Sequence, residues 1–167
     1  ANLPYYITTP AITSLLESSA FEQITVMVQK EVAQRICATP GTAAYSAFSI
    51  YVQYHAAAEI LFDVPADCFI PQPKVDSAVL QLTPLKEPAV KTQDEKLFFA
   101  LVRAAFNMRR KRVVNALGPV LSTAMGEGGV TELVQSVGLD ARVGGERLSL
   151  QDFARLADAA ADRLASA

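Results

Sequence analysis

At 167 residues, with 51% apolar side chains and a net charge of −2, the chain has room for one or two domains with a substantial core. That balance gives no global sign of a nucleic-acid partner. Cys37 and Cys68 form no C-x-x-C pair and have no metal-ligand company. The expectation is a reduced, cytoplasmic protein with structural thiols and no metal. No secretory signal pattern is read. Residues 36–58 lack Asp, Glu, Lys and Arg. Pro40 and Gly41 interrupt that run, and Thr39, Thr42, Ser46, Ser49 and Gln53 lie within it, which argues against a membrane span.

The first pattern in the chain is Asn2-Leu3-Pro4-Tyr5. These residue types suit one task, holding an amino group attached to a flat ring. The Asn side-chain oxygen accepts one N–H. Pro4 stiffens the backbone, so that a neighbouring carbonyl accepts the second. Tyr5 offers an aromatic face for the ring, worth roughly 1–3 kcal/mol per stacked base. A methyl donor approaching in line meets an oriented amine, which is mainly an entropic gain. The plain alternative is a strand end followed by a proline turn.

Thr9-Pro10 starts a helix with Ile12, Leu15 and Leu16 on its apolar face. The β-branched run Ile24 to Gln29 reads as a buried strand. Lys30 to Cys37 is helical, Thr39-Pro-Gly-Thr42 a loop, and Ala47 to His55 a second helix. His55, the lone histidine, sits in an apolar stretch and is expected to be structural. Ala57 to Val64 and Ser77 to Thr83 read as strands paired in a hairpin. Between them, Phe69-Ile-Pro-Gln-Pro-Lys-Val75 is a stiff connector. Its two prolines fix where Phe69 points, so the ring can close on the far face of a base stacked on Tyr5. A proline-rich turn with a core Phe is the alternative.

Pro84 to Gln93 reads as a linker, after which the pattern is helical throughout. Asp94 to Leu117 is expected as one long amphipathic helix, and Thr131 to Val137 as a short one stopped by Gly138. Ser149-Leu-Gln-Asp152 resembles a capping box that opens the last helix. Gly126-Glu127-Gly128-Gly129 is a flexible connection, not a phosphate loop, because no strand precedes it.

Charge is distributed unevenly. No acid lies between Lys96 and Met125, whereas Lys96, Arg103, Arg109, Arg110, Lys111 and Arg112 are six of the chain's 15 cations. The remaining nine cations face 17 acids, so the rest of the chain carries −8. Four successive cations cannot share one helix face, and they are expected to ring a helix end. A basic cluster on an acidic chain is a phosphate footprint or a solvated helix end.

Four motifs occur in order and at family spacing: Asn2-Leu-Pro-Tyr-Tyr-Ile-Thr-Thr-Pro10, Met27 to Ala33, Phe69-Ile-Pro-Gln-Pro-Lys-Val-Asp-Ser-Ala78 and Ala105-Phe-Asn-Met-Arg-Arg-Lys111. The chain closely resembles the ribosomal RNA adenine N6-dimethyltransferases. Within them it looks most like the bacterial small-subunit (16S) enzymes, which dimethylate two adjacent adenosines with S-adenosylmethionine. The resemblance implies an α/β fold, namely the C-terminal half of a Rossmann-like class I methyltransferase sheet. That sheet is mixed, its last strand is antiparallel, and a small all-α domain follows. Residues 1–85 are expected as a partial catalytic domain and 86–167 as a helical RNA-contacting domain.

By the same resemblance, Asn2, Leu3, Pro4, Tyr5 and Phe69 form the catalytic site. Asn2 and the Pro4 carbonyl hold the target amine, while Tyr5 and Phe69 face the adenine. Asn2 also stands at the cofactor. Arg109, Arg110 and Lys111 match a basic motif that meets rRNA, with Arg103, Arg112 and Lys74 as further expected RNA contacts. No general base is needed.

Two departures stand out. Tyr45-Ser46 replaces the family's Tyr-Gly. The family's cofactor half, a Gly-rich loop and two acids, has no counterpart here, so the chain reads as a fragment whose S-adenosylmethionine site is largely missing and which is inactive alone. The expected partner is small-subunit rRNA in the 30S particle, with neither membrane nor metal. The parent is expected to be monomeric and the fragment to self-associate. The alternatives are a non-catalytic RNA-binding assembly factor and a large-subunit rRNA adenine methylase.

Overall fold

The β-branched run Ile24–Gln29 forms strand β1, with Ile24, Val26 and Val28 buried on one face. Helix α1 (Thr8–Glu17) precedes it and helix α2 (Lys30–Ile36) follows. Helix α3 (Ala47–His55) leads directly into strand β2 (Ala56–Val64), and strand β3 (Ser77–Pro84) ends the sheet. The order is β1-β3-β2, with β3 antiparallel to both neighbours. The β2–β3 hairpin is as expected. The sequence did not reveal that β3 inserts between β1 and β2. Residues 1–3 add a short parallel pairing alongside β1, with Asn2 opposite Met27. Every strand pairing in the described sheet is thus antiparallel, where a mixed sheet is expected from the resemblance, and parallel pairing is limited to the Asn2–Met27 contact. Ala78, Leu80 and Leu82 of β3 join the buried face of β1 against Ile12, Leu16, Ala33 and Ile36 of the helices.

The computed structural model describes residues 1–126 and 128–166. They divide into two compact units, one of Ala1–Ala38 with Phe48–Ala89 and the other of Thr39–Ala47 with Val90–Ala167. The second unit thus includes the Pro-Gly loop as well as the C-terminal helices. Glu127, in the expected glycine-rich connection, lies outside the described residues.

In the second unit the expected long helix is two. Helix α4 (Glu95–Asn107) is capped by Asp94, whose carboxylate accepts from Leu97 N–H at 3.0 Å. Helix α5 begins only at Val113 and runs to Met125. The break falls on Met108 to Arg112, so the four cations sit on the turn between the end of α4 and the start of α5. Val113 N–H donates to Val143 O at 2.7 Å, and Arg112 pairs with Gly144. Backbone pairing with a distant segment overrides the local helix preference of an Arg/Lys run.

Helix α6 (Gly129–Ser136) ends before Gly138, which takes φ +80° and stops it as expected. Helix α7 (Leu150–Ala165) opens on a complete capping box between Ser149 and Asp152. Phe98, Leu101, Leu117, Leu121, Leu133, Phe153 and Leu156 form its buried interior. Gly145 lies against α4, and a Cβ there would come within 2.6 Å of Ala105 Cβ.

Candidate active site and basic turn

Asn2 is positioned by its own backbone. Met27 N–H donates to Ala1 O at 2.8 Å and Leu3 N–H donates to Met27 O at 3.1 Å, so hydrogen bonds on either side pin Asn2 to β1. Pro4 then turns the chain (φ −58°, ψ 141°) into a 3-10 turn, Tyr5–Ile7, ahead of α1. The Pro4 carbonyl accepts from Ile7 N–H and from Thr8 Oγ1, each at 3.2 Å. Both of its lone pairs are therefore engaged, whereas the expectation was that it receives a substrate amine. Thr8 is buried and half of Tyr5 is open to solvent.

The opposite wall comes from the connector between β2 and β3. Gln29 of β1 and Val64 of β2 both pair with Ser77, so the carboxyl ends of these strands converge where the connector emerges. Asp76 closes it. Its carboxylate accepts from Ala66 N–H at 2.9 Å and its carbonyl accepts from Lys30 N–H at 3.0 Å. Within the connector the Ile70–Pro71 peptide is cis.

Asn2, Leu3, Pro4 and Tyr5 meet Phe69, Pro71, Pro73 and Ser77 around a cleft of ≈ 290 Å³. All five residues expected at the catalytic site are thus brought together. The cleft lies outside the carboxyl ends of the strands, where ligands bind open α/β sheets. Its lining offers aromatic and proline faces, one side-chain amide, the hydroxyls of Tyr5 and Ser77, and no carboxylate. That set fits a flat heteroaromatic ring with an amino group. It does not fit the ribose of a nucleoside cofactor, whose hydroxyls need a carboxylate acceptor.

The expected RNA-contacting residues part company. Arg109 Nη2 donates to Thr42 O at 3.2 Å and to Ala43 O at 2.7 Å, tying the Pro-Gly loop to its own unit. Arg110, Lys111 and Arg112 are exposed on the turn, and Arg103 is exposed on α4. Lys74 belongs to the first unit and lines a separate polar groove with Lys30, Gln34 and Asp76. There Lys30 pairs with Asp63 at 2.7 Å, and the Asp63 carboxylate holds its ammonium above the usual lysine range.

Tyr45 is fully buried and donates to Leu148 O at 2.8 Å. Burial, with the Asp152 charge nearby, pushes its phenol well above its ordinary value, so it remains a donor. Its role in the structure is to anchor the loop. Among the described residues no group of three or more His, Cys, Asp or Glu is placed to hold a metal, and no helix is long and apolar enough to cross a membrane.

The ribosomal RNA adenine dimethylase family matches residues 1–162. The chain belongs to that family. It is 46% identical over 160 residues to ribosomal RNA small subunit methyltransferase A of Clostridium acetobutylicum, covering 95% of this chain and 56% of that protein. To the protein of the same name from Clostridium perfringens it is 49% identical over 161 residues, covering 95% of this chain and 55% of that one. The chain spans about half the length of the curated relatives it matches. A solved dimethyladenosine transferase from Plasmodium falciparum superposes with a TM-score of 0.79 at 23% identity, over 93% of this chain and 63% of that one. The 23S rRNA methyltransferase ErmE gives 0.67 at 22% identity, over 98% and 63%. These likenesses bear out the expected α/β fold as part of a Rossmann-like methyltransferase architecture.

Three further residues shape the cleft without a local sequence signal for doing so. Thr8 and Asp76 act by hydrogen bonds to backbone, and Ser77 lines the cleft from the start of β3. The Thr-Thr-Pro and Lys-Val-Asp-Ser strings contained them, but their roles depend on which backbone atoms the fold brings near.

Proposed function

We propose that this chain is the substrate-binding half of an S-adenosylmethionine-dependent enzyme that dimethylates N6 of adjacent adenosines in small-subunit rRNA. The observation that carries the reading is the cleft where Asn2 to Tyr5 meet Phe69. The target adenine slides between the Tyr5 and Phe69 rings. The Asn2 side-chain oxygen accepts one N6–H, and the Leu3 carbonyl is the neighbouring acceptor for the other, because the Pro4 carbonyl is already doubly bonded. These bonds aim the nitrogen lone pair and exclude water from it. When bound, S-adenosylmethionine supplies an electrophilic methyl group. Of the cleft residues, only Asn2 is assigned to its neighbourhood. With no carboxylate in the lining, the 167 residues alone bind the cofactor weakly and do not turn over.

The partner is the 30S particle in the cytoplasm, engaged by the full-length protein as a monomer, with Arg110, Lys111 and Arg112 supplying phosphate contacts. The test is methyl transfer to unmethylated small subunits by the full-length protein, with the product nucleoside read by mass. Dimethyladenosine that vanishes in Asn2→Ala, with subunit binding retained, is the expected result. No transfer by the wild type, with binding intact, would leave a non-catalytic assembly factor instead.

A further inference from the structure

A second cleft, of ≈ 360 Å³, runs between α4 and α5 in the helical unit. Its residues all fall within the acid-free stretch 96–125. Ala104 and Ala116 leave it room, while Met108, Pro119 and Val120 give it apolar surface. Met108 and Val120 are 42% and 41% exposed, so the cleft presents apolar surface to solvent. Two polar side chains complete the lining: Arg103, and Asn107 at the last position of α4. The basic turn begins immediately after Asn107.

We propose that this cleft receives one unpaired rRNA base, separate from the base that is methylated. The inference rests on the rRNA reading above. Charge selects the class of partner, because no carboxylate lines the cleft and it lies on the acid-free, basic stretch 96–125, while the rest of the chain carries −8. An anionic ligand is attracted here and repelled elsewhere. The mixture of apolar faces, a guanidinium and a carboxamide selects the part of the ligand. A phosphate alone has no use for Met108, Pro119 and Val120, whereas a base presents a flat apolar face and a hydrogen-bonding edge. Asn107 can donate to and accept from that edge. Arg103 can stack on the ring or meet its phosphate. Bases within a duplex are hidden, so the occupant comes from a loop, bulge or end. Anchoring a second base would set the register of the strand, which a sequence-blind phosphate contact cannot do.

The test is equilibrium binding of the full-length protein to unmethylated small subunits across a salt series. Ala104→Leu fills the cleft without altering charge, and Asn107→Ala removes the edge contact at an exposed position. The first is expected to weaken binding about tenfold and the second about threefold, both with an unchanged salt slope. Arg103→Gln is expected to flatten the slope by about one unit. Unchanged affinity in both Ala104→Leu and Asn107→Ala overturns the proposal, and Asn107→Ala decides the matter if the leucine variant misfolds. If Ala104→Leu instead abolishes self-association in sedimentation, the occupant is a second copy and the proposal is wrong. A wild type that does not bind subunits at all overturns the rRNA reading together with this inference. Normal wild-type binding that ignores the cleft variants removes only the inference.

Discussion

Arg109 and Arg110 are neighbours in a basic run, and the structure gives them different tasks. Arg109 donates from Nη2 to the carbonyls of Thr42 and Ala43. A hydrogen bond from a charged donor contributes about 1.5–3 kcal/mol when well made. Arg109 is only half-buried, and one of its two bonds is long at 3.2 Å. Solvent exposure and the long second bond bring the expectation for Arg109→Ala to the low end of that range or just below it, about 1–2 kcal/mol for the pair. The loop would not detach, since Gly41 N–H still donates to Glu146 O and the Tyr45 hydroxyl to Leu148 O, each at 2.8 Å. In a unit of this size each kcal/mol moves the melting temperature by about 4–8 °C. Arg110 is exposed, and Arg110→Ala should leave the melt unchanged. In RNA binding the order reverses. Arg110→Ala should lower the slope of log K against log salt by close to one unit, and Arg109→Ala should leave it alone. Thermal melts and a salt titration on both variants decide the matter. An Arg109→Ala protein with a wild-type melt and a flattened salt slope would refute the structural role argued for it.

Three further outcomes are expected. Phe69→Ala removes one face of the cleft and should lower kcat/KM at least about tenfold, while Tyr5→Phe, which keeps the ring, should remain near wild type; equal losses in both would mean that the phenol, not the face, matters. Ser149→Ala removes the α7 cap and should destabilise by about 1 kcal/mol in denaturant melts. Burial raises the Asp152 pKa, but hydrogen bonds from the Ser149 N–H and hydroxyl and from Arg155 outweigh it, and the carboxyl ends below its ordinary value of 3.8. A depressed folded pKa means that its stabilisation is present above 3.8 and is lost as pH falls through the folded value. Asp152→Asn should therefore reduce the loss of stability between neutral and strongly acidic pH, and an unchanged pH profile would contradict this.

Short-range rules reached far into this fold. The β1 boundaries, Ile24–Gln29, and those of α3, Ala47–His55, follow from β-branched and 3.6-residue patterns, because in each case local propensity and burial agree. The Ser149 capping box and the Gly138 stop were legible for the same reason, since each is a hydrogen-bond or φ requirement met within a few residues. The cleft was half legible. Asn2 to Tyr5 and Phe69 to Pro73 announce rigid, ring-friendly backbone. That they line a single space depends on Gln29 and Val64 sharing Ser77 as partner, and no local pattern encodes that.

The break within residues 94–117 has the same origin and a larger consequence. Met108 to Arg112 contains neither Gly nor Pro, and Arg, Lys and Met are good helix formers, so sequence alone continues the helix. What stops it is pairing between Arg112 and Gly144 and a hydrogen bond from Val113 to Val143. On a helix, successive cations would be splayed by about 100° each, and few could address one RNA strand. A turn removes that constraint. It also frees Arg109 to point back at the Pro-Gly loop while Arg110, Lys111 and Arg112 stay exposed. The pairing that hid the break from sequence analysis is therefore also what divides one basic run into a structural anchor and a surface suited to phosphate.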